Sequence, residues 1–152
     1  GLLEQILREG TETGEFVWNM ATWELREAVN ISAMALPYGD DEFVHAKVTK
    51  RPAVDAPGPM VAESPCHFEC RYLSTHHLPG DSRVGGVDIV FGRVERIHVS
   101  DDVVDGAGKL DIAKIKPIAR MGYYDYACVT EVFEMRVPGA SAEAEAGMMG
   151  KA

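Results

Sequence analysis

The sequence predicts a mainly β, α+β domain built from antiparallel strands, as an open sheet or a small barrel. Three observations carry that prediction. Apolar and polar residues alternate with the period of a strand in segments near 15–20, 66–72, 84–99 and 126–137. Helical periodicity is confined to short stretches, and no regular strand–helix–strand alternation announces a parallel sheet. The chain has 152 residues, 46% of them hydrophobic, enough for one core without disulfide or metal staples, and it contains no internal repeat.

Taken in order, Leu3, Ile6 and Leu7 share one helical face and predict a short amphipathic helix ending near Gly10. In GEFVWNM, Phe16, Trp18 and Met20 alternate with Glu15, Val17 and Asn19, predicting a strand with one face deeper in the core. Leu25, Ala28, Val29, Ser32, Ala33 and Leu36 then form a helical stripe from Trp23 to Leu36, with Thr22 able to cap its start and Pro37 ending it. That stripe is expected to pack on the core. Residues 37–65 carry Pro52, Pro57, Pro59 and Pro65 too closely spaced for long helices or central strands, and read as a surface excursion.

CHFECRY puts Cys66, Phe68, Cys70 and Tyr72 on one face of a half-buried strand and His67, Glu69 and Arg71 on the other. A longer strand from Val84 to Val99 shifts phase around Gly92, the mark of a bulge or bend. Asp105-Gly106 signals a turn, a short helix runs from about Asp111 to Lys116 before Pro117, and YACVTEVFEMRV is a last strand. The domain is therefore drawn over residues 1–138. Residues 139–152, rich in Ala, Gly and Glu without periodicity, are expected to be a disordered tail.

Composition narrows the function. Asp and Glu total 24 against 15 Lys and Arg, a net charge of −9 with no isolated basic cluster, which argues against nucleic acid as a partner. No apolar run reaches the roughly 20 residues that cross a bilayer, so no membrane partner is expected. Cys66, Cys70 and Cys128 make an odd count without a secretion signal, which reads as reduced thiols in the cytoplasm.

The residues carry few chemical motifs. Cys66, Phe68 and Cys70 share one strand face while His67 and Glu69 point the other way, so the cluster does not converge on one ion and no metal is expected. His76-His77 reads as a solvated pair in a turn before Leu78-Pro79-Gly80, and Asp40-Asp41-Glu42 as a solvated acidic turn. His98, between Ile97 and Val99, is partly buried whichever way it points, and is either a hydrogen-bonded core histidine or a site residue. No nucleophile sits with a base, and no phosphate loop or dinucleotide fingerprint is present. A protein holding a cofactor that does its own electron chemistry needs only donors, aromatic surface and positive charge. Arg120-Met121-Gly122-Tyr123-Tyr124-Asp125-Tyr126 supplies such groups between a helix and a strand, or is a capping Arg with surface aromatics.

Four blocks occur in a telling order: ETGEFVWNMATWELREAVN, a DEF followed by a Pro-rich loop into VAESP-x-x-x-EC, FGRVERIHV, and LDIAKIKPIARMGYYDYA. Together they resemble the flavin reductase-like family of FMN-binding split-barrel proteins, from about Thr13 to Phe133. The resemblance implies an antiparallel Greek-key split β-barrel with short helices, a homodimer, and FMN near the subunit interface. It implies an FMN-dependent oxidoreductase that transfers hydride from NAD(P)H to flavin, with a non-catalytic flavin-binding or structural dimeric module as the alternative. On this reading His98 is catalytic, facing the nicotinamide or flavin, and Asn19, Arg120, Gly122 and Tyr123 bind the cofactor. The family opens with a Pro-containing strand and an Asn-Ala-Pro-Tyr-Ser-like segment that do not occur here, and its Lys-Asp-Thr-like helix start is replaced by Glu4, Gln5 and Ile6. The expectation is a barrel incomplete at its N-terminus, with a weakened grip on the FMN phosphate.

Overall fold

The computed structural model describes residues 14–37, 39–81 and 85–148. The helix read at 1–10, and with it Glu4, Gln5 and Ile6, lies outside the described residues.

The centre of the fold is a long strand, β4 (Cys66–Leu78), flanked by β1 (Glu15–Asn19) and β5 (Val87–Val99) in the order β1-β4-β5, all antiparallel. The register sets Asn19 opposite His67 and Trp18 opposite Phe68 on one side. On the other side it sets His67 opposite His98, Cys66 opposite Val99 and Phe68 opposite Ile97. Register shifts between Glu69 and Cys70, and between Tyr72 and Ser74, bend this pair where the phase change near Gly92 predicts it. Gly92 is required by close approach: a Cβ there would lie 2.5 Å from the Phe16 ring. His76 and His77 lie inside β4 rather than in a turn, because the hairpin pairs Leu78 with Val87 before reversing.

The Pro-rich excursion has more structure than its composition suggests. Two short helices precede its strands, α1 (Arg26–Ser32) and α2 (Glu42–Ala46). The Asp41 carboxylate accepts a hydrogen bond from the backbone N–H of Phe43 and caps α2, so part of the acidic turn is a helix start. Beyond it, β2 (Lys50–Pro52) and β3 (Pro59–Val61) form a hairpin that tolerates Pro52 and Pro59 because they face each other at its last pair.

The helix read from Trp23 to Leu36 is shorter, and its stripe is not a core face. Thr22 is buried in a bridge to Pro117 and the N–H of Trp23 donates to the Lys116 carbonyl, so the chain turns helical only at Arg26, without a side-chain cap. None of its residues is buried, and it packs on α2. The buried apolar cluster is elsewhere: Cys66, Val103 and Ile115, with Met20, Leu110 and Ile112 against it. It is closed by a 3-10 turn (Asp101–Val103) and α3 (Ile112–Ile115), where Asp111 accepts from the N–H of Lys114. Pro117 follows α3 as predicted.

The last strand is also shorter than predicted. β6 (Ile118–Arg120) pairs with β7 (Tyr126–Cys128), and residues 131–137 find no strand partner among the described residues, leaving Val132, Phe133, Met135 and Val137 exposed. The tail expected to be disordered contains α4 (Ala142–Met148). Ser141 accepts from the N–H of Ala144, Glu143 and Glu145 sit in the first turn where the helix dipole favours them, and alanine is the best helix former. Alanine content outweighed the missing periodicity. No helix among the described residues is long and apolar enough to cross a membrane.

Candidate functional site: a polar layer between sheet and hairpin

The alternation read in CHFECRY is correct, but over Cys66–Cys70 both faces of β4 are covered. His67 and Glu69 are among the most buried side chains described, 1% and 2% exposed. The β2–β3 hairpin and the loop joining its strands lie over the face that the sequence assigns to water. Directly opposed residues in a sheet share a face, so Asn19, His67 and His98 form one row across β1, β4 and β5, with Glu69 two residues along the same side.

Each member of this layer has defined partners. The Glu69 carboxylate accepts from the backbone N–H groups of Val54 (3.0 Å), Asp55 (2.7 Å) and Ala56 (2.7 Å) and from His98 Nε2 (2.5 Å). Burial alone would push its pKa up, yet the donors of Ala56, Val54 and Asp55, together with His98, outweigh it and hold the pKa at about 2. Glu69 is therefore a carboxylate at neutral pH, an acceptor that calls for a proton on His98 Nε2. The side chain of His98 is 20% exposed. Its Nδ1 has no hydrogen-bond partner among the described residues and is not sealed from solvent.

His67 is held from both ends. Its Nε2 donates to the Val61 carbonyl at 2.8 Å and its Nδ1 accepts from Arg51 Nη2 at 3.2 Å. Burial, opposed by the Val61 carbonyl and reinforced by the charges of Arg51 and His98, lowers its pKa, so the ring is neutral. Asn19 Oδ1 accepts from the N–H of Val61 at 2.8 Å and ties the hairpin to β1. Arg96 bridges to Asp55 at 2.7 Å and ties the loop to β5.

Between the hairpin and the end of β5 lies a cleft of about 480 Å³ whose walls include Arg51, Val54, Met60, Ile97, His98 and Ser100. That size is within the range of about 300–1,000 Å³ typical of small-molecule pockets. The opposite face of the sheet is apolar: Trp18 stacks on Phe68 with centroids 4.7 Å apart.

The structure thus brings together two of the predicted site residues, Asn19 and His98, by way of His67. Arg120, Gly122 and Tyr123 form a separate turn between β6 and β7, and none of them lines the cleft. There Arg120 donates to the Tyr123 carbonyl and the Tyr126 hydroxyl, with its guanidinium 5.4 Å from the Tyr126 ring centre. Tyr123 has a left-handed backbone (φ 54) and, like Tyr124, is more than nine-tenths exposed. Sequence reasoning missed Arg51, His67 and Glu69. The available signal was His98 itself: any β4 partner sharing its face is drawn into the same environment.

With the geometry in place, comparison with known proteins is informative. Residues 6–126 match the family described as Flavin reductase like domain. An uncharacterized protein of Halalkalibacterium halodurans is 30% identical over 145 residues, covering 95% of this chain and 69% of that protein. The crystal structure of nitrilotriacetate monooxygenase component B from Bacillus cereus is similar, with 30% identity and a TM-score of 0.76 over 86% of this chain and 64% of that one. A Shewanella frigidimarina protein with a split barrel domain has a TM-score of 0.72 at 21% identity, over 90% of this chain and 66% of that one. At that identity the likeness speaks for fold alone, and the fold is the split barrel. The chain spans about two thirds of the length of these proteins.

Proposed function

The chain belongs to the flavin reductase-like family, and from that premise we propose that it is the greater part of an FMN-dependent oxidoreductase that takes hydride from NAD(P)H. The observation that carries the reading is the family match over residues 6–126 coinciding with a small-molecule cleft into which a carboxylate-oriented histidine opens. Bound FMN would supply the redox chemistry, and the chain's residues bind it, orient it and exclude water.

The residues present fit such a group in their donor chemistry. Asn19 commits its carbonyl oxygen to Val61 and keeps its amide nitrogen as a donor. Arg120 adds a cation, and Gly122 with Tyr123 forms a turn whose exposed ring offers flat apolar surface. His98 holds or releases a proton at Nδ1 while Glu69 keeps the ring oriented. Because the Arg120 turn does not line the cleft of its own chain, we include in the proposal a homodimer in which two copies share each flavin site. Free Cys66, Cys70 and Cys128 support a cytoplasmic location.

The test is titration of FMN into the purified chain, followed by flavin fluorescence, and then NADH and NADPH oxidation, with sedimentation for the oligomeric state. Saturable binding with turnover is expected, and Arg120→Ala should weaken FMN binding by about tenfold, as for loss of a charged hydrogen bond. Binding without turnover would favour a non-catalytic flavin-binding module. No saturable flavin binding would overturn the reading.

A further inference from the structure

Arg26, Arg71, Arg96 and Arg136 each meet a carboxylate. Arg51, like Arg93 and Arg120, meets none among the described residues, although the chain has 24 acidic side chains. Its Nη2 is directed at His67 Nδ1 and, at 3.8 Å, at the Met60 sulfur. The donors on Nη1 and Nε have no acceptor among the described residues. The guanidinium is nonetheless held in place from beneath, because the His67 that accepts from it is 1% exposed and is itself fixed by the Val61 carbonyl. Across the same cleft stands His98, with Nδ1 unpartnered and its other nitrogen held by Glu69. Among the described residues Ser64 and Ser100 are the remaining polar walls, and no Asp or Glu lines the cleft.

We propose that this cleft is an oxyanion subsite, in which Arg51 and His98 together bind a phosphate or carboxylate group of a small-molecule ligand. A fixed cation with spare planar donors, beside a histidine able to donate once protonated and in walls free of carboxylates, is the complement of a compact anion. Holding Arg51 through His67 removes part of the ordering cost that a free surface arginine would bring to binding.

With Nε2 given to Glu69, His98 keeps Nδ1 as its free ring position among the described residues. The charged and titratable groups around it are Glu69 and His67 on β4, Arg51 on β2, and the Arg96–Asp55 pair at the loop, with Asp102 behind Ser100. Asp55 is paired with Arg96 and the Glu69 carboxylate is held by three backbone N–H groups and His98, so Arg51 is the cation among these that meets no carboxylate.

The experiment uses the chain without flavin or nicotinamide, so it succeeds or fails independently of the proposed activity. Calorimetric titration with sulfate should show saturable binding. Arg51→Gln should weaken it about tenfold or more, with Arg51→Lys intermediate. His98→Gln should weaken it while leaving Arg51-dependent binding. Adenosine monophosphate and benzoate distinguish the sources: competition with sulfate by the first alone assigns a nucleotide phosphate, by the second alone an acidic small molecule, and by both a site for the oxyanion itself. Absence of saturable sulfate binding, or binding unchanged in a folded Arg51→Gln protein, would overturn the proposal.

Discussion

Replacing Glu69 by Gln keeps the shape of the side chain and removes the charge that organises the polar layer. The carboxylate's pKa is about 2 in the fold against an ordinary 4.5. That gap corresponds to roughly 3 kcal/mol in favour of the charged form. Val54 and Asp55, two of the donors, belong to an exposed stretch of loop, and solvent screening trims the figure to ~1–3 kcal/mol. The amide adds a second penalty. Whichever way it is flipped, its NH₂ meets donors: the N–H groups of Asp55 and Ala56 at the Oε2 position, or the Val54 N–H and His98 at the Oε1 position. Facing donors cost about 1–3 kcal/mol, and the substitution should lower the unfolding free energy by roughly 2–6 kcal/mol in all.

The pH dependence separates the charge from the shape. Because the folded-state pKa of Glu69 lies below the unfolded one, its contribution is complete above about 4.5 and is lost as pH falls through about 2. Urea unfolding of both proteins, followed by circular dichroism at a series of pH values, should therefore give curves separated by a constant amount near neutrality that converge in acid. A Glu69→Gln protein as stable as the parent at neutral pH would refute the reasoning. So would a stability gap that stays unchanged down to the most acidic point at which both proteins still fold, since the carboxylate's charge would then contribute nothing.

Two further predictions concern stability. Gly92→Ala would drive a methyl group to 2.5 Å and 2.7 Å from atoms of the Phe16 ring, so it should destabilise by about 1–3 kcal/mol, and Phe16→Leu in the same chain should recover part of the loss; equal unfolding midpoints for Gly92→Ala and the parent would show that the ring moves freely. Leu25→Ala should cost less than the roughly 2–5 kcal/mol of a buried leucine, because Leu25, at the N-cap of α1, is only half-buried; a loss inside that range would mean that the stripe it begins is covered in solution.

How much of this was legible follows from what a sequence pattern encodes. The alternation in 66–72 and the phase shift near Gly92 are local, set by the pleat and by one bulged pair, and both are found in β4 and β5. Burial of the polar face of β4 is not local. It depends on the 50–61 hairpin, whose prolines read as a surface excursion and which reaches the sheet through bonds spanning many residues, such as that from Val61 to Asn19. A histidine and a glutamate at alternate positions read as solvent-facing by default, and only their long-range partners make the burial affordable. The helix stripe at 25–36 fails for the opposite reason: its periodicity is real, but Thr22 and Trp23 are held by Pro117 and Lys116, which a local pattern does not contain. Of the candidate site, His98 and Asn19 were within reach because they lie on strands, whereas the partners that give His98 its chemistry came from the face assigned to water.

These two faces of β4 differ in what they still need. Among the described residues no buried side-chain nitrogen or oxygen lacks a partner, so the polar layer of Asn19, His67, Glu69 and His98 is satisfied within one chain. The apolar side is not comparably closed: Trp18, Val94, Ile97 and Val99 remain exposed on the sheet, as do Phe133 and Met135 on the unpaired segment beyond β7. Hydrogen-bonded polar groups tolerate no partial solution, because a half-satisfied buried carboxylate costs more than an exposed one, whereas apolar surface can await its cover at a cost proportional to area. The proposed second copy would therefore act on the apolar side of the sheet and on access to the cleft, while the orientation of His98 by Glu69 is complete before any association. Concentration should accordingly change flavin affinity and turnover without moving the acid-sensitive part of the stability that Glu69 supplies.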